Sequence, residues 1–461
     1  MPARRANDDE PIEEAVARLD DQLARRLLAA AAESHEDVMR AVRLSAADES
    51  DRLGVLKAAV DDGLRTRRFL DYWQSTAWAI DAAPVVQALA DEVASSPSAG
   101  LVELLQRAAG HLAKVILRAD DSNGEIGGLC REVLDLHLQA CAAGVADPKK
   151  LAKWMVKFTF DDQDFFRLDP VVYADALGDK GMAVYRREVA KRSEPSDAPP
   201  EPGYDLYRGF PSYAARYAAE RLAIIDHDVE RVIELLGGDQ TSPYQFQQVA
   251  EAMIELGRTD DALVWARRGI AETSGRQMVG IYDLAAELLE ARNEPDKVVE
   301  LRRHHHERIP SSATYAKLRR AARAAGTWDS EMGPARAVIA EKAPAELVDA
   351  LLADGDNDEA WAFATARSDE VRASQWPRLA EVREPTAPAE AMAVYLRLAD
   401  EHLVRADKRA YRDAVRHLKA GRRAATTAER TDEFDAHLAD LRERNRRRPT
   451  LVAMLDKAGL S

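Results

Sequence analysis

Apolar residues recur along this chain at steps of three and four, which predicts helices from one end to the other. After a polar start at residues 1–11, read as disordered, Pro11 opens a segment in which Ile12, Val16, Leu19, Leu23 and Leu27 share one helix face. A second helix is predicted over residues 35–44 with Ser34 as its cap. A third, from about residue 50, carries Leu53, Leu56, Val60 and Leu64. A helix-turn-helix stretch follows, with Tyr72, Trp73 and Trp78 as its packing anchors. Residues 98–118 give an amphipathic pattern through Leu101, Leu105, Ala108, Leu112 and Val115, with Ser98 as cap. Helices at 126–143 and 148–158 come next, the latter with Asp147 as cap and Pro148 at the first helical position. A further helical pair covers 161–192.

The pattern then breaks. Residues 193–203, SEPSDAPPEPG, hold four prolines and no large apolar side chain, which reads as an extended linker. It separates an N-terminal helical domain (12–192) from a region of recurring helix-turn-helix units (204–403). In YQFQQVAEAMIELGRTDDALVWARRGIAETSG the first helix presents Phe246, Val249, Met253 and Leu256. Gly257 makes the turn, and Ala262, Ala266 and Ile270 face back from the second helix. The next turn residue, Asn293, lies 36 positions later, and Gly326 and Gly355 mark further turns. This spacing, with Gly, Ala and Pro at recurring offsets, resembles tetratricopeptide repeats. Helices are expected at 387–406, 407–425 and 427–446 with a short terminal one after Pro449, and the basic helical end (404–461) is expected to cap the array. The fold class is therefore all-α, a helix-turn-helix (tetratricopeptide-like) solenoid with an N-terminal helical domain.

Composition narrows the function classes. Of 461 residues, 46% are hydrophobic and 31% charged, with a net charge of −15, so a long-range attraction to nucleic acid is not expected of the chain as a whole. No run of 18 apolar residues occurs and no signal peptide is evident, so the expected address is the cytoplasm, without a membrane partner. Cys130 and Cys141 are too few for a disulfide framework and fit a reducing compartment. The Ala- and Arg-rich usage points to a GC-rich bacterial source.

The segments TSPYQFQQVAEAMIELGRTDDALVWARRGI, AYRDAVRHLKAGRRAA and FDAHLADLRERNRRRPTLVAMLDKAGL resemble a bacterial family of large helical proteins of unknown function. RRFLDYWQSTAWAIDAAPVVQAL and DDSNGEIGGLCREVLDLHLQAC fit the same group, and the resemblance runs from about residue 15 to the end. Related helical regions lie C-terminal to SWIM zinc fingers in other bacterial proteins. The finger itself, a CxCx(n)CxH site, is absent here, because the two cysteines lie eleven apart.

Five strings carry chemistry that needs weighing. In DDSNGEIG, Asp121, Asn123, Gly124 and Ile126 fall where an EF-hand loop has ligands, turn and packing residue. Ala119 and Cys130 occupy the two key carboxylate positions, so a capped interhelical turn is the reading. Cys130, His137 and Cys141 share a helix face and read as core. Consecutive His304, His305 and His306 point in different directions on a helix and suit its C-terminal dipole better than a metal. Residues 158–166, with Phe158, Asp161, Asp162, Asp164 and Phe166, form an acidic aromatic candidate for a basic peptide, against the alternative of a buried turn. Tyr204, Tyr207 and Arg208 open a tyrosine-rich stretch suited to a partner or to docking on the N-terminal domain. A sixth feature is electrostatic: Arg412, Arg416 and Lys419, with Arg446, Arg447 and Arg448, make the C-terminal helices locally basic and are the candidates for nucleic acid.

No phosphate-binding glycine loop, nucleophile elbow or HExxH motif is present, and no catalytic residue, metal ligand or cofactor is expected. The leading expectation is a non-enzymatic scaffold that binds a protein or peptide partner on a concave helical-repeat surface. The alternatives are a nucleic-acid-associated module and an enzyme whose site is assembled across repeats.

Overall fold

A computed structural model of the chain describes residues 16–35, 38, 39, 42, 46, 51–193, 212–275 and 277–460, apart from the side chain of Asp162. The predicted disorder at 1–11, most of the helix at 35–44, the linker beyond Ser193, and Tyr204, Tyr207 and Arg208 lie outside these residues. Among the described residues every named element is helical, with one isolated β-bridge besides. Two compact units are present, one reaching Asp239 and including Glu255–Gly257, the other Gln240–Ile254 with Arg258–Ser461.

The first unit contains α1 (Asp21–Ser34), α2 (Arg52–Gly63), α3 (Tyr72–Ser95), α4 (Ala99–Ile116), α5 (Glu125–Ala142), α6 (Pro148–Lys157), α7 (Ala174–Ser193), α8 (Tyr213–Ile225) and the single turn α9 (Val229–Val232). Helix starts follow the expected caps: Ser98 accepts from the Leu101 amide at 3.2 Å, and Asp147 accepts from Lys149 and Lys150, both at 2.9 Å. α2 packs on α3 and α4, α5 on α3 and α4, and α7 on α6. Leu101, Leu105 and Leu112 of α4 are fully buried, each worth roughly 1.5–3 kcal/mol of transfer free energy. Ala218 and Leu222 of α8 join this same core, so the helix after the proline-rich stretch packs with the helices before it.

The anchors expected at the start of α3 divide. Trp78 packs against the core, but Tyr72 is 41% and Trp73 79% exposed. A run of aromatics does not reveal which of them face inward, because the helix phase is fixed by Ala79, Ala82, Val86 and Leu89.

The second unit is the helix-turn-helix solenoid: α10 (Pro243–Glu255), α11 (Thr259–Glu272), α12 (Met278–Ala291), α13 (Pro295–Arg308), α14 (Ser312–Ala324), α15 (Trp328–Lys342), α16 (Pro344–Asp354), α17 (Asn357–Ala366), α18 (Trp376–Arg383), α19 (Pro388–Leu403), α20 (Lys408–Thr427), α21 (Thr431–Arg444) and α22 (Pro449–Lys457). From α11 to α21 each helix packs on the next, and α13, α14 and α20 also reach the next but one. Gly257 and Asn293, the turn residues read from sequence, have φ of +72° and +55°, a region that glycine and asparagine tolerate. Gly269 of α11 lets two neighbours close in: a Cβ there would stand 2.6 Å from Phe246 and 2.3 Å from Ile281. Ion pairs stitch the polar edges of successive helices, as where Asp283 of α12 binds Arg302 of α13 at 2.6 Å and Lys317 of α14 at 2.7 Å.

Candidate functional site

In the first unit a cleft of about 470 Å³ opens beside the C-terminal ends of α2 and α4. α2 stops at Gly63, and buried Leu64 pins the chain that follows. The Leu70 amide donates to the Arg118 carbonyl at 2.9 Å, and the Asp120 amide donates to the Leu70 carbonyl at 2.8 Å. This two-bond clamp ties residues 65–70 to the end of α4. His111, Lys114 and Arg118, spaced by three and four, line the cleft from the α4 side, while Asp61, Asp62, Arg65, Thr66 and Arg67 line it from the other.

The charges in the cleft are unequally matched. Asp61 accepts from Arg107 and from His111 Nε2 at 3.0 Å, and the Arg107 hydrogen bond lowers its carboxyl to about 2. Partial burial pushes His111 below its ordinary value, helped by the charges of Arg107 and Arg65 and opposed by Asp61. At neutral pH the pair is therefore a carboxylate and a neutral imidazole. Arg65, Arg67, Lys114 and Arg118 have no ion-pair partner among the described residues. Asp62 is the one other carboxylate on the lining. Four unmatched cations thus face one carboxylate, in a chain whose net charge is −15.

This arrangement suits holding an anion. Thr66, the lining hydroxyl, accepts from the Arg68 amide at 3.2 Å and has no base paired with it among the described residues. No group of three His, Cys, Asp or Glu among the described residues is placed to hold a metal ion.

The strings singled out from sequence have structural explanations of their own. Asp121 caps α5, accepting from the amides of Ile126 at 2.9 Å and Gly127 at 2.8 Å. His137 is buried between Tyr173, whose hydroxyl lies 2.9 Å from Nδ1, and Gln106. Burial lowers His137 to about 3 and raises both cysteine thiols to about 12. The three consecutive histidines part company. His304 meets the Tyr282 hydroxyl at 2.9 Å, His305 stacks on the Tyr282 ring, and His306 bridges Thr314 and the Ala335 carbonyl at 3.0 Å each. The dipole reading of this run needs correction for His305 and His306. Burial disfavours their charged forms, so packing and neutral hydrogen bonds hold them.

In residues 158–166 a π-helical turn, Phe158–Asp162, brings aromatics and acids to different places. Phe158 and Phe166 point into the core, and Asp161 pairs with Arg192 at 2.6 Å, while Asp164 is exposed. Buried Gln163 organises the turn, donating to the carbonyls of Phe158 and Phe166 and accepting from the amides of Phe165 and Phe166. Among the described side chains, Phe158 and Phe166 are thus not brought together with Asp161 and Asp164 into a pocket, and the Asp162 side chain lies outside them. The C-terminal basic residues fall into two groups. Arg412, Arg416 and Lys419 share an exposed face of α20, and Arg446, Arg447 and Arg448 form the turn between α21 and α22. Arg416 pairs with Asp413, Arg446 with Glu443, and Arg448 donates to the Leu403 carbonyl. The cleft itself escaped the sequence reading. Its one local signal is the cationic run at 65–68, and its other wall lies more than 40 residues later.

Fold and site together define an all-α helical-repeat protein that carries a basic cleft. Over residues 15–450 the sequence matches the model of a family of unknown function, DUF6880, and the chain belongs to that family. No curated protein matches it. It is similar to a solved structure described as a "circular tandem repeat protein with novel repeat topology and enhanced subunit contact surfaces", with 11% identity and a TM-score of 0.13, covering 96% of this chain and 89% of that one. These matches show no link to SWIM-finger proteins.

Proposed function

We propose that the protein is a non-enzymatic interaction scaffold of the cytoplasm, built partly from degenerate tetratricopeptide-like helix pairs, whose basic cleft seats an acidic segment of a protein partner. The observation that supports this is the set of unmatched cations Arg65, Arg67, Lys114 and Arg118 on one concave lining. Cations left without carboxylates in an acidic chain attract a partner of opposite charge and fix its register. Among the described residues no helix is long and apolar enough to cross a membrane.

The test is a titration of a fluorescein-labelled acidic peptide, alternating Glu and Leu, read by anisotropy at low and moderate salt. The double variant R65E/K114E is expected to weaken binding at least tenfold, and salt to weaken the parent chain's binding. Unchanged affinity in that variant would remove the cleft from the reading. Tight binding of single-stranded DNA that is lost on R412E/K419E would favour the nucleic-acid alternative instead.

A further inference from the structure

Two helices of the first unit each leave an apolar stripe uncovered. On α3, Trp73, Ala77, Ile80 and Pro84 follow steps of four, three and four, the spacing of a helix–helix seam. All four are exposed, Trp73 at 79% and Ile80 at 67%, while the opposite face of α3 carries the core residues. On α1, Leu23, Ala24, Leu27, Leu28 and Ala31 form one helix face, yet α1 buries none of its residues, and Leu27 is 53% exposed. Contiguous exposed apolar surface on a helix marks a missing partner.

The two stripes match one another. The α3 seam from Trp73 to Pro84 is about 16 Å long at the rise of an α-helix, and the α1 stripe from Leu23 to Ala31 is about 12 Å long. The small residues Ala77, Ala24 and Ala31 permit close approach of two backbones. Arg25 and Arg26 flank the α1 stripe and Asp81 flanks the α3 seam, all three without an ion pair among the described residues.

We infer that α1 of one copy of the chain packs onto the Trp73–Ala77–Ile80–Pro84 seam of a second copy, forming a two-fold arm-exchanged dimer. Within one chain Trp73 and Ile80 of the seam and Leu27 and Leu28 of the α1 stripe stay exposed, while Leu23, Ala24 and Ala31 are half-buried. An unrelated partner on the seam would still leave the α1 leucines exposed. Exchange between two copies covers both seams and both arms with a single self-complementary contact. The cleft described above takes no part in it.

The full chain and its variants are to be measured by size-exclusion chromatography with light scattering, with circular dichroism to check folding. The parent chain is expected at twice the 51.0 kDa of one copy. I80E and L27E, both at exposed positions, are each expected to fall to the mass of one copy with unchanged helicity. A mixture of the two variants is expected to give a mixed dimer by native mass spectrometry, since one intact arm then meets one intact seam. A parent mass of 51.0 kDa would overturn the inference, including the case in which the chain's own arm covers the seam. So would an L27E variant that keeps the dimer mass, because the contact would then run between seams. R65E/K114E is expected to keep the parent mass, so failure of the cleft reading and of this one are read separately.

Discussion

The imidazole of His305 lies flat against the ring of Tyr282, with centroids 4.1 Å apart and planes 3° from parallel. Both ring nitrogens of His305 are buried and have no hydrogen-bond partner among the described residues. Burial, aided by the charges of Arg302 and Lys317, lowers its pKa to about 4. His417 is lowered to about 4 as well, again chiefly by burial.

A histidine held neutral in the fold titrates earlier in the unfolded chain. Between pH 6.5 and about 4 the unfolded state binds the proton and the folded state does not, so stability falls as the pH drops through that window. The expected outcome is a melting temperature that declines steadily from pH 7 to pH 4.5. In H305F the ring stack is kept and the titrating, unpartnered nitrogens are removed. That variant is expected to melt no lower than the parent at pH 7, and its decline with acid is expected to be shallower by one proton.

Asp354, at the end of α16, is 5% exposed at its side chain and sits between Arg319 and Arg336, with the Tyr315 hydroxyl donating to it at 2.8 Å. Removing one member of a buried charge group strands the others. D354A is expected to lose about 3 kcal/mol in urea unfolding, whereas E359A, at the exposed edge of the same network, is expected to change stability by less than about 1 kcal/mol.

Gly269 carries no strained backbone angle, and its role is space. A methyl group there would overlap Phe246 and Ile281, so G269A is expected to cost roughly 1–3 kcal/mol despite alanine's higher helix propensity. A thermal melt that rises in this variant would show that the α10–α12 packing yields easily.

Cys130 and Cys141 are both fully buried, with thiols raised to about 12. Neither is expected to react with a thiol reagent in the native chain over hours at neutral pH, and both are expected to react at once in denaturant. Fast labelling of the native chain would contradict the packing of α5.

Local chemistry settles the parts of this protein that short-range sequence determines. Helix positions follow the three-four spacing, caps such as Ser98, Asp147 and Asp121 fix where helices start, and Gly257 and Asn293 fix where they turn. Each of these is decided within one turn of backbone, so the all-α class is legible without a structure. The tertiary structure alone decides which face of a helix is covered and which charges are matched. Trp73 and Trp78 look alike in sequence, and only the phase of α3 against its neighbours sends one to solvent and the other to the core. Phe158 and Asp161 lie three apart, yet a π-turn and Arg192 separate their roles. The basic cleft joins Arg65 and Arg67 to Lys114 and Arg118 across about fifty residues, because α2 packs on α4 and the Leu70 clamp closes the loop between them. Long-range packing makes that site, and no spacing along the chain encodes it.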